Sequence, residues 1–183
     1  MKKTLILLSF LLVAALPALA QNNEVGLLIG GAKAMKTAAA GKSDFQRGFE
    51  EISYGIEIDQ GTWFKIKLGR MDAKTVFVSK DADGNQVVDV VDANGQVEYA
   101  DATVEYRFSE PFGSTGLFAG TGLYRQSGGN RQESDYGFVA GVNGLFPVSR
   151  SLGITAEAAY HWAHFYSPKP RYGTLGVGLR FAF

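Results

Sequence analysis

The chain has no cysteine, only 5 prolines and 2 histidines, and no apolar run long enough to cross a bilayer as a helix. Without cysteine there are no disulfides, no thiolate nucleophile and no cysteine-ligated metal centre. Two histidines three residues apart, His161 and His164, are too few for a zinc site of ordinary composition. Lys+Arg and Asp+Glu are equal at 18 each, so neither sign dominates and nothing in the charge balance points to nucleic acid. A phosphate-cradling loop is absent as well, because the glycines of 26–31 lack the lysine and hydroxyl that complete such a loop. No polar low-complexity stretch interrupts the chain and no fixed-period repeat runs through it, so one domain is expected. What is plentiful is glycine, at 23 residues, together with 13 phenylalanines and 8 tyrosines, a composition that suits strands.

The longest apolar run, 5–16, follows Lys2 and Lys3 and is broken by Pro17, and Ala18-Leu19-Ala20 then offers small residues before Gln21. The run falls short of the roughly 20 residues a spanning helix needs. It reads as a cleaved secretory signal over residues 1–20, with Ala18 and Ala20 at the cleavage site and a single domain over 21–183. No other stretch comes near a spanning helix, so any passage through a membrane must be made by strands, which need only about 9 to 11 tilted residues.

Eight segments of that length carry period-two alternation: 24–33, 49–59, 62–71, 97–108, 116–124, 136–146, 152–162 and 172–183. An even count returns both chain ends to one side. Short connections at 59–62, 109–115 and 147–151 alternate with mostly longer ones at 34–48, 72–96, 125–135 and 163–171. Successive side chains of a strand point to opposite faces. Phe64, Ile66 and Leu68 thus oppose Lys65 and Lys67; Val104, Tyr106 and Phe108 oppose Glu105 and Arg107; Ile154, Ala156 and Ala158 oppose Thr155 and Glu157. The glycine-rich fifth and sixth segments leave their facing open. Trp63, Phe108, Phe112 and Phe146 beside the short turns, and Tyr124, Tyr136, Tyr160, Trp162 and Tyr172 beside the long ones, suggest two interfacial girdles.

The last strand alternates Leu175, Val177, Leu179, Phe181 and Phe183 with small residues and Arg180, and ends on the aromatic. In this it resembles the small OmpA/Opa-like outer-membrane β-barrel family. The resemblance implies an all-β fold, an eight-stranded antiparallel up-and-down transmembrane β-barrel with a polar lumen. It also implies Sec-dependent export, passage through the periplasm with chaperones, and insertion into the bacterial outer membrane by the barrel assembly machinery, for which Phe181 and Phe183 form the assembly signal. Outer-membrane lipids and lipopolysaccharide are the implied surroundings, with Arg47, Lys80, Arg131 and Lys169 as loop cations near lipid phosphates.

With the apolar face on lipid, the lumen is expected to hold Glu57, Glu105 and Glu157 against Lys65, Lys67, Arg107 and Arg180. A three-residue turn over 60–62 would set Glu57 across from Lys65, so that pair is predicted, with loss of stability on replacing Glu57 by alanine. These groups plug the lumen or, alternatively, line a narrow channel. The longest connection reads as a hairpin that prolongs the third and fourth strands, with 75–80 and 86–91 β-prone, a turn at 81–85 and an irregularity at 92–95. Asp81, Asp83, Asn85, Asp89 and Asp92 fall on calcium-loop spacing, though Gln86 stands where that loop has glycine. Glu157, His161, His164 and Ser167 resemble the residue types of the lipid A deacylase family, in which histidine activates a serine. The spacing departs from that family's His-x-Ser-Asn, and no catalytic residue or cofactor is assigned. The expected role is a noncatalytic surface barrel whose loops serve envelope integrity, adhesion or partner binding, of undetermined oligomeric state.

Overall fold

The computed structural model describes residues 22–36, 47–92, 94–165 and 170–183. The predicted signal region, Ala18 and Ala20 included, lies outside the described residues, as does Ser167. Ten strands are present among them: β1 Asn23–Lys36, β2 Arg47–Asp59, β3 Thr62–Asp72, β4 Thr75–Lys80, β5 Gln86–Asp92, β6 Gln96–Glu110, β7 Gly113–Gly128, β8 Arg131–Pro147, β9 Leu152–Ala163 and β10 Arg171–Ala182. Eight of them close into an antiparallel barrel in the order β1, β10, β9, β8, β7, β6, β3, β2, while β4 and β5 form a separate two-stranded ribbon. The seam between first and last strands is sealed at the chain end, where Asn23 and Phe183 exchange backbone hydrogen bonds of 3.0 and 2.9 Å. Phe183 thus completes the closure that leaves no sheet edge in the barrel wall.

The two faces divide as the alternation requires, including on β7 and β8. On β7, Phe118, Tyr124 and Gln126 are buried inside while Leu117 and Leu123 are exposed outside; on β8, Val139 and Asn143 face in while Phe138 and Val142 face out. The outer surface carries Leu27, Ile29, Ile66, Leu68, Val104, Leu175 and Val177, all substantially exposed, whereas the interior holds charged and hydrogen-bonding groups. A soluble sheet protein distributes these the other way. Phe108, Phe112 and Phe146 by the short turns, and Tyr136 and Trp162 at the opposite end, stand on the outer face. Trp63, Tyr124 and Tyr172 do not join a girdle: each shares parity with inward neighbours and is buried in the lumen.

Connections at the end holding Asn23 and Phe183 are tight. Gln60 and Gly61 turn β2 into β3, with Gly61 at φ 75°, a conformation glycine adopts without penalty. The expected long connection over 125–135 is mostly strand instead. β7 and β8 stay paired through Gly128↔Arg131 and reverse over Gly129 and Asn130. Their upper segment alternates polar with polar, so it carries no hydrophobic period from which a strand could be read.

The hairpin over 75–92 prolongs β3 and β6. Pairing runs to Asp72↔Gln96 and resumes at Thr75↔Asp92, with one more residue on the returning side, the irregularity expected at 92–95. At its tip the Asp81 carboxylate accepts the backbone N–H groups of Asp83 and Asn85 at 3.0 and 2.8 Å. Asp81, Asp83 and Asn85 are therefore turn residues, while Asp89 and Asp92 lie on β5 as it runs away from the tip.

Candidate functional site

The barrel interior is layered. Nearest the tight turns, Lys65 of β3 bridges Glu24 of β1 at 2.8 Å and Glu105 of β6 at 2.6 Å. Arg107 bonds the same two carboxylates and lies over the Trp63 ring, 4.1 Å from its centroid. Arg180 of β10 approaches them at 3.5 and 3.8 Å, and Asn143 donates to Glu105 at 2.8 Å. One level up, Lys67 lies between Glu157, which it bonds, and Glu51 at 3.3 Å, with the Phe118 ring 3.9 Å from its ammonium. The Tyr99 hydroxyl donates to Glu51 at 2.6 Å and its ring stacks on Tyr124 at 5.8 Å. Tyr124 in turn stands 3.1 Å from Asp101 and 2.9 Å from His161 Nδ1. Above these an apolar cluster closes the lumen, with Phe49, Met71, Val97, Phe165 and Tyr172 each nearly or wholly buried.

Local sequence explains why long side chains from different strands can meet. Glu24, Gly55 and Lys65 share one cross-strand row, and the missing side chain at Gly55 lets the acid and base touch above it. A Cβ at Gly55 would lie 3.1 Å from both Glu24 Cγ and Lys65 Cγ. Glu51, Gly69 and Tyr99 repeat the device two inward rows further on: a Cβ at Gly69 would fall 2.2 Å from the Tyr99 ring. Phe118 covers Gly141 and Tyr124 covers Gly137 likewise. Inward glycines are thus the gaps that long side chains of neighbouring strands cross, which gives the high glycine content a packing reason.

The predicted pair of Glu57 with Lys65 does not form. Asp59 pairs with Thr62 and the strand bulges between Glu57 and Asp59, so the register sets Lys65 across from Gly55 and Glu57 across from Trp63. Glu57 stays at the rim, accepting the Gly61 N–H at 3.0 Å and the Asn22 amide. Its expected place is taken by Glu24, Glu51 and Asp101, which were not singled out in sequence. Parity alone puts Glu51 with Ser53 and Asp101 with Thr103, inside the expected segments 49–59 and 97–108, so both were readable as inward. Lys65, Lys67, Glu105, Arg107, Glu157 and Arg180 all point inward. Five carboxylates, Glu24, Glu51, Asp101, Glu105 and Glu157, therefore share the described lumen with four cations.

Chemically, the most suggestive set is Asp101, His161 and Thr174. His161 Nε2 is 3.3 Å from Thr174 Oγ1, and Asp101 lies 3.8 Å from Nδ1. All three are buried beneath the apolar cluster, so no substrate reaches the hydroxyl. The grouping of His161 with Glu157 dissolves as well, since Glu157 is engaged by Lys67. His164 sits at the rim, stacked on Tyr136 with ring centroids 4.5 Å apart. No cluster of three or more metal-ligating side chains occurs among the described residues.

A closed barrel with a charged, sealed interior and an apolar exterior matches solved structures throughout its length. Neisserial surface protein A superposes with a TM-score of 0.67 at 17% identity, over 88% of this chain and 97% of that one. The chain has the fold of the small eight-stranded outer-membrane barrels. The N-terminal β-barrel domain of Pseudomonas aeruginosa OprF gives a TM-score of 0.53 at 13% identity, over 90% and 98% of the two chains. Ail, the attachment invasion locus protein of Yersinia pestis, in complex with the heparin analogue sucrose octasulfate, gives 0.50 at 16%, over 88% and 99%. No protein-family model and no curated protein sequence matches the chain. At these identities the likeness establishes the barrel fold.

Proposed function

We propose that this chain is a noncatalytic integral protein of the bacterial outer membrane, whose sealed barrel anchors an external hairpin for contact with a partner at the cell surface. The observation that carries the reading is the inversion of polarity: apolar residues stand outward on all eight wall strands while ion pairs fill the interior. Such a surface is stable against hydrocarbon and costly in water. The apolar exterior supports a membrane setting over a soluble periplasmic one, and the packed interior supports a plug over a channel among the described residues. Ligands are then left to the β4 and β5 ribbon beyond the barrel rim, whose foot packs on β7 through Thr75 and whose outer edges are unpaired among the described residues. Such edges accept an added strand from another chain. Adhesion and envelope integrity are two uses of that contact. Delivery follows from the leader by Sec-dependent export, and insertion by the barrel assembly machinery reads the closing strand with Phe181 and Phe183. Lipopolysaccharide and phospholipid surround the outward apolar rows.

The test is electrophoretic mobility of the outer-membrane fraction in cold SDS, with and without boiling. A shift on boiling, in a band that fractionates with the outer membrane, is expected. Recovery as a soluble periplasmic protein with no shift would overturn the reading.

A further inference from the structure

Charge on the outer face does not lie at one level. Glu50 of β2, Arg70 of β3, Glu98 of β6 and Arg125 of β7 are paired in register, strand to strand. Followed the other way round the barrel, through Ile29, Val177, Ala156 and Gly144, the same row returns to β7 at Thr115, ten residues nearer the tight turns than Arg125. A row that shifts this far in one circuit of eight strands climbs about 3 Å along the barrel axis at each strand. Glu50 therefore lies about 9 Å deeper than Arg125. The row from Tyr54 through Ile66, Ala102, Thr121 and Phe138 to Trp162 climbs likewise, which puts Glu50 about 6 Å below the aromatic rim at Trp162. Glu98 and Arg125 reach the headgroups, whereas Glu50 and Arg70, ion-paired at 2.7 Å and about half exposed, face hydrocarbon. Ionisable side chains at that depth ordinarily turn to a protein partner.

We propose that the Glu50 and Arg70 pair is covered by the same pair of a second copy of this chain, in a two-fold dimer packed along β2 and β3. The inference rests on the barrel spanning the outer membrane. Two copies inserted in the same sense and meeting through one shared patch are related by a two-fold axis along the membrane normal. Such an axis between β2 and β3 sets Glu50 of each copy against Arg70 of the other, at heights only about 3 Å apart. The patch is thus self-complementary in charge. Glu50 takes one nitrogen of the Arg70 guanidinium, and the rest of its planar fork is turned to acyl chains, which offer no acceptor. A second carboxylate accepts from that fork and closes a ring of two acids and two bases with no net charge. A lipid does not serve as well, since a phosphate meets Arg70 only beside the repelling Glu50 and an acyl chain satisfies neither. Toward the tight turns the same two strands present Ile52 with Leu68, then Tyr54 with Ile66, an apolar flank for the second wall.

The chain has no cysteine, so a single introduced one reports contact between copies. Leu68→Cys lies beside the proposed axis, and Val142→Cys, equally outward on β8, lies on the opposite wall. The test is cross-linking of each by a short bismaleimide, with the purified protein folded in phospholipid vesicles. Leu68→Cys should give a dimer band and Val142→Cys should not. On the Leu68→Cys background, Glu50→Gln/Arg70→Gln should lower the cross-linked fraction about tenfold or more, the factor that one or two lost charge-assisted contacts give. Glu50→Arg alone and Arg70→Glu alone should lose it too, and mixing those two variants should restore it, one wall then being wholly positive and the other wholly negative. Equal cross-linking at Leu68→Cys and Val142→Cys, an unchanged fraction in the neutral variant, or no restoration on mixing would overturn the dimer. Cross-linking to a different protein in cell envelopes, with none in pure vesicles, would also overturn it. The same samples are run cold and boiled in SDS. Loss of the shift in the parent protein would overturn the barrel reading along with this one, whereas a preserved shift without a dimer band overturns this one alone.

Discussion

Replacing Lys67 by methionine removes the one cation between Glu51 and Glu157. Methionine keeps most of the side-chain length, and Phe118, now 3.9 Å from the ammonium, can still pack against it. What is lost is the bond to Glu157 and the 3.3 Å approach to Glu51, leaving two carboxylates facing each other with Asp101 near by on the adjoining strand. Breaking a buried pair by removing one partner costs about 3 to 5 kcal/mol, because the other charge stays buried and uncompensated. The assay is equilibrium unfolding in urea of the barrel reconstituted in vesicles, followed by tryptophan fluorescence. The informative comparison is Glu51→Gln/Lys67→Met/Glu157→Gln, which removes the charges together and should recover at least half of the loss. A fall of less than about 1 kcal/mol for Lys67→Met, or a triple variant whose losses simply add, would refute the claim that this level of the lumen is held by mutual neutralisation.

Glu57→Ala is expected to cost under about 1 kcal/mol, as a rim group should, whereas Glu105→Ala, which strips partners from both Lys65 and Arg107, should cost about 3 kcal/mol or more in the same titration. Gly69→Ala would press a Cβ on the Tyr99 ring and dislodge its bond to Glu51, so a loss of about 2 kcal/mol or more is expected, exceeding that of Tyr99→Phe, which removes the bond alone. Planar-bilayer recordings of wild type should show no steady conductance, while Phe49→Ala/Met71→Ala, which thins the apolar closure, should admit intermittent current; steady current in wild type would mean the lumen is open. Replacing 73–95 by a two-residue turn should leave the cold and boiled SDS shift intact, because β3 and β6 pair without the ribbon.

Much of this protein was legible in the chain before any folding. The period of two fixes which residues share a face, and the contrast of polarity on the strands that carry charge points to a closed sheet, because an open edge in hydrocarbon would leave backbone groups without partners. Parity puts Lys65, Lys67, Glu105, Arg107, Glu157 and Arg180 on the polar faces, and the leader, the closing Phe183 and the aromatics at strand ends turn those faces inward. The hairpin was legible for a related reason: its β-prone runs flank an Asp-Gly turn. Partnership was not legible. Whether Lys65 meets Glu57 or Glu24 depends on one residue of register, set by a bulge at the β2 to β3 turn, and alternation is blind to a bulge. Nor does the chain announce which glycines serve as crossings, since Gly55 and Gly69 matter only because Glu24, Lys65, Tyr99 and Glu51 converge over them from other strands. The outer row Glu50, Arg70, Glu98 and Arg125 is of the same kind: four residues ordinary singly, made into a band of alternating sign by the register of β2, β3, β6 and β7. Sequence by itself determined the faces, because side-chain direction is a local property of the strand; tertiary structure decided the neighbours, because register and closure are properties of the whole barrel.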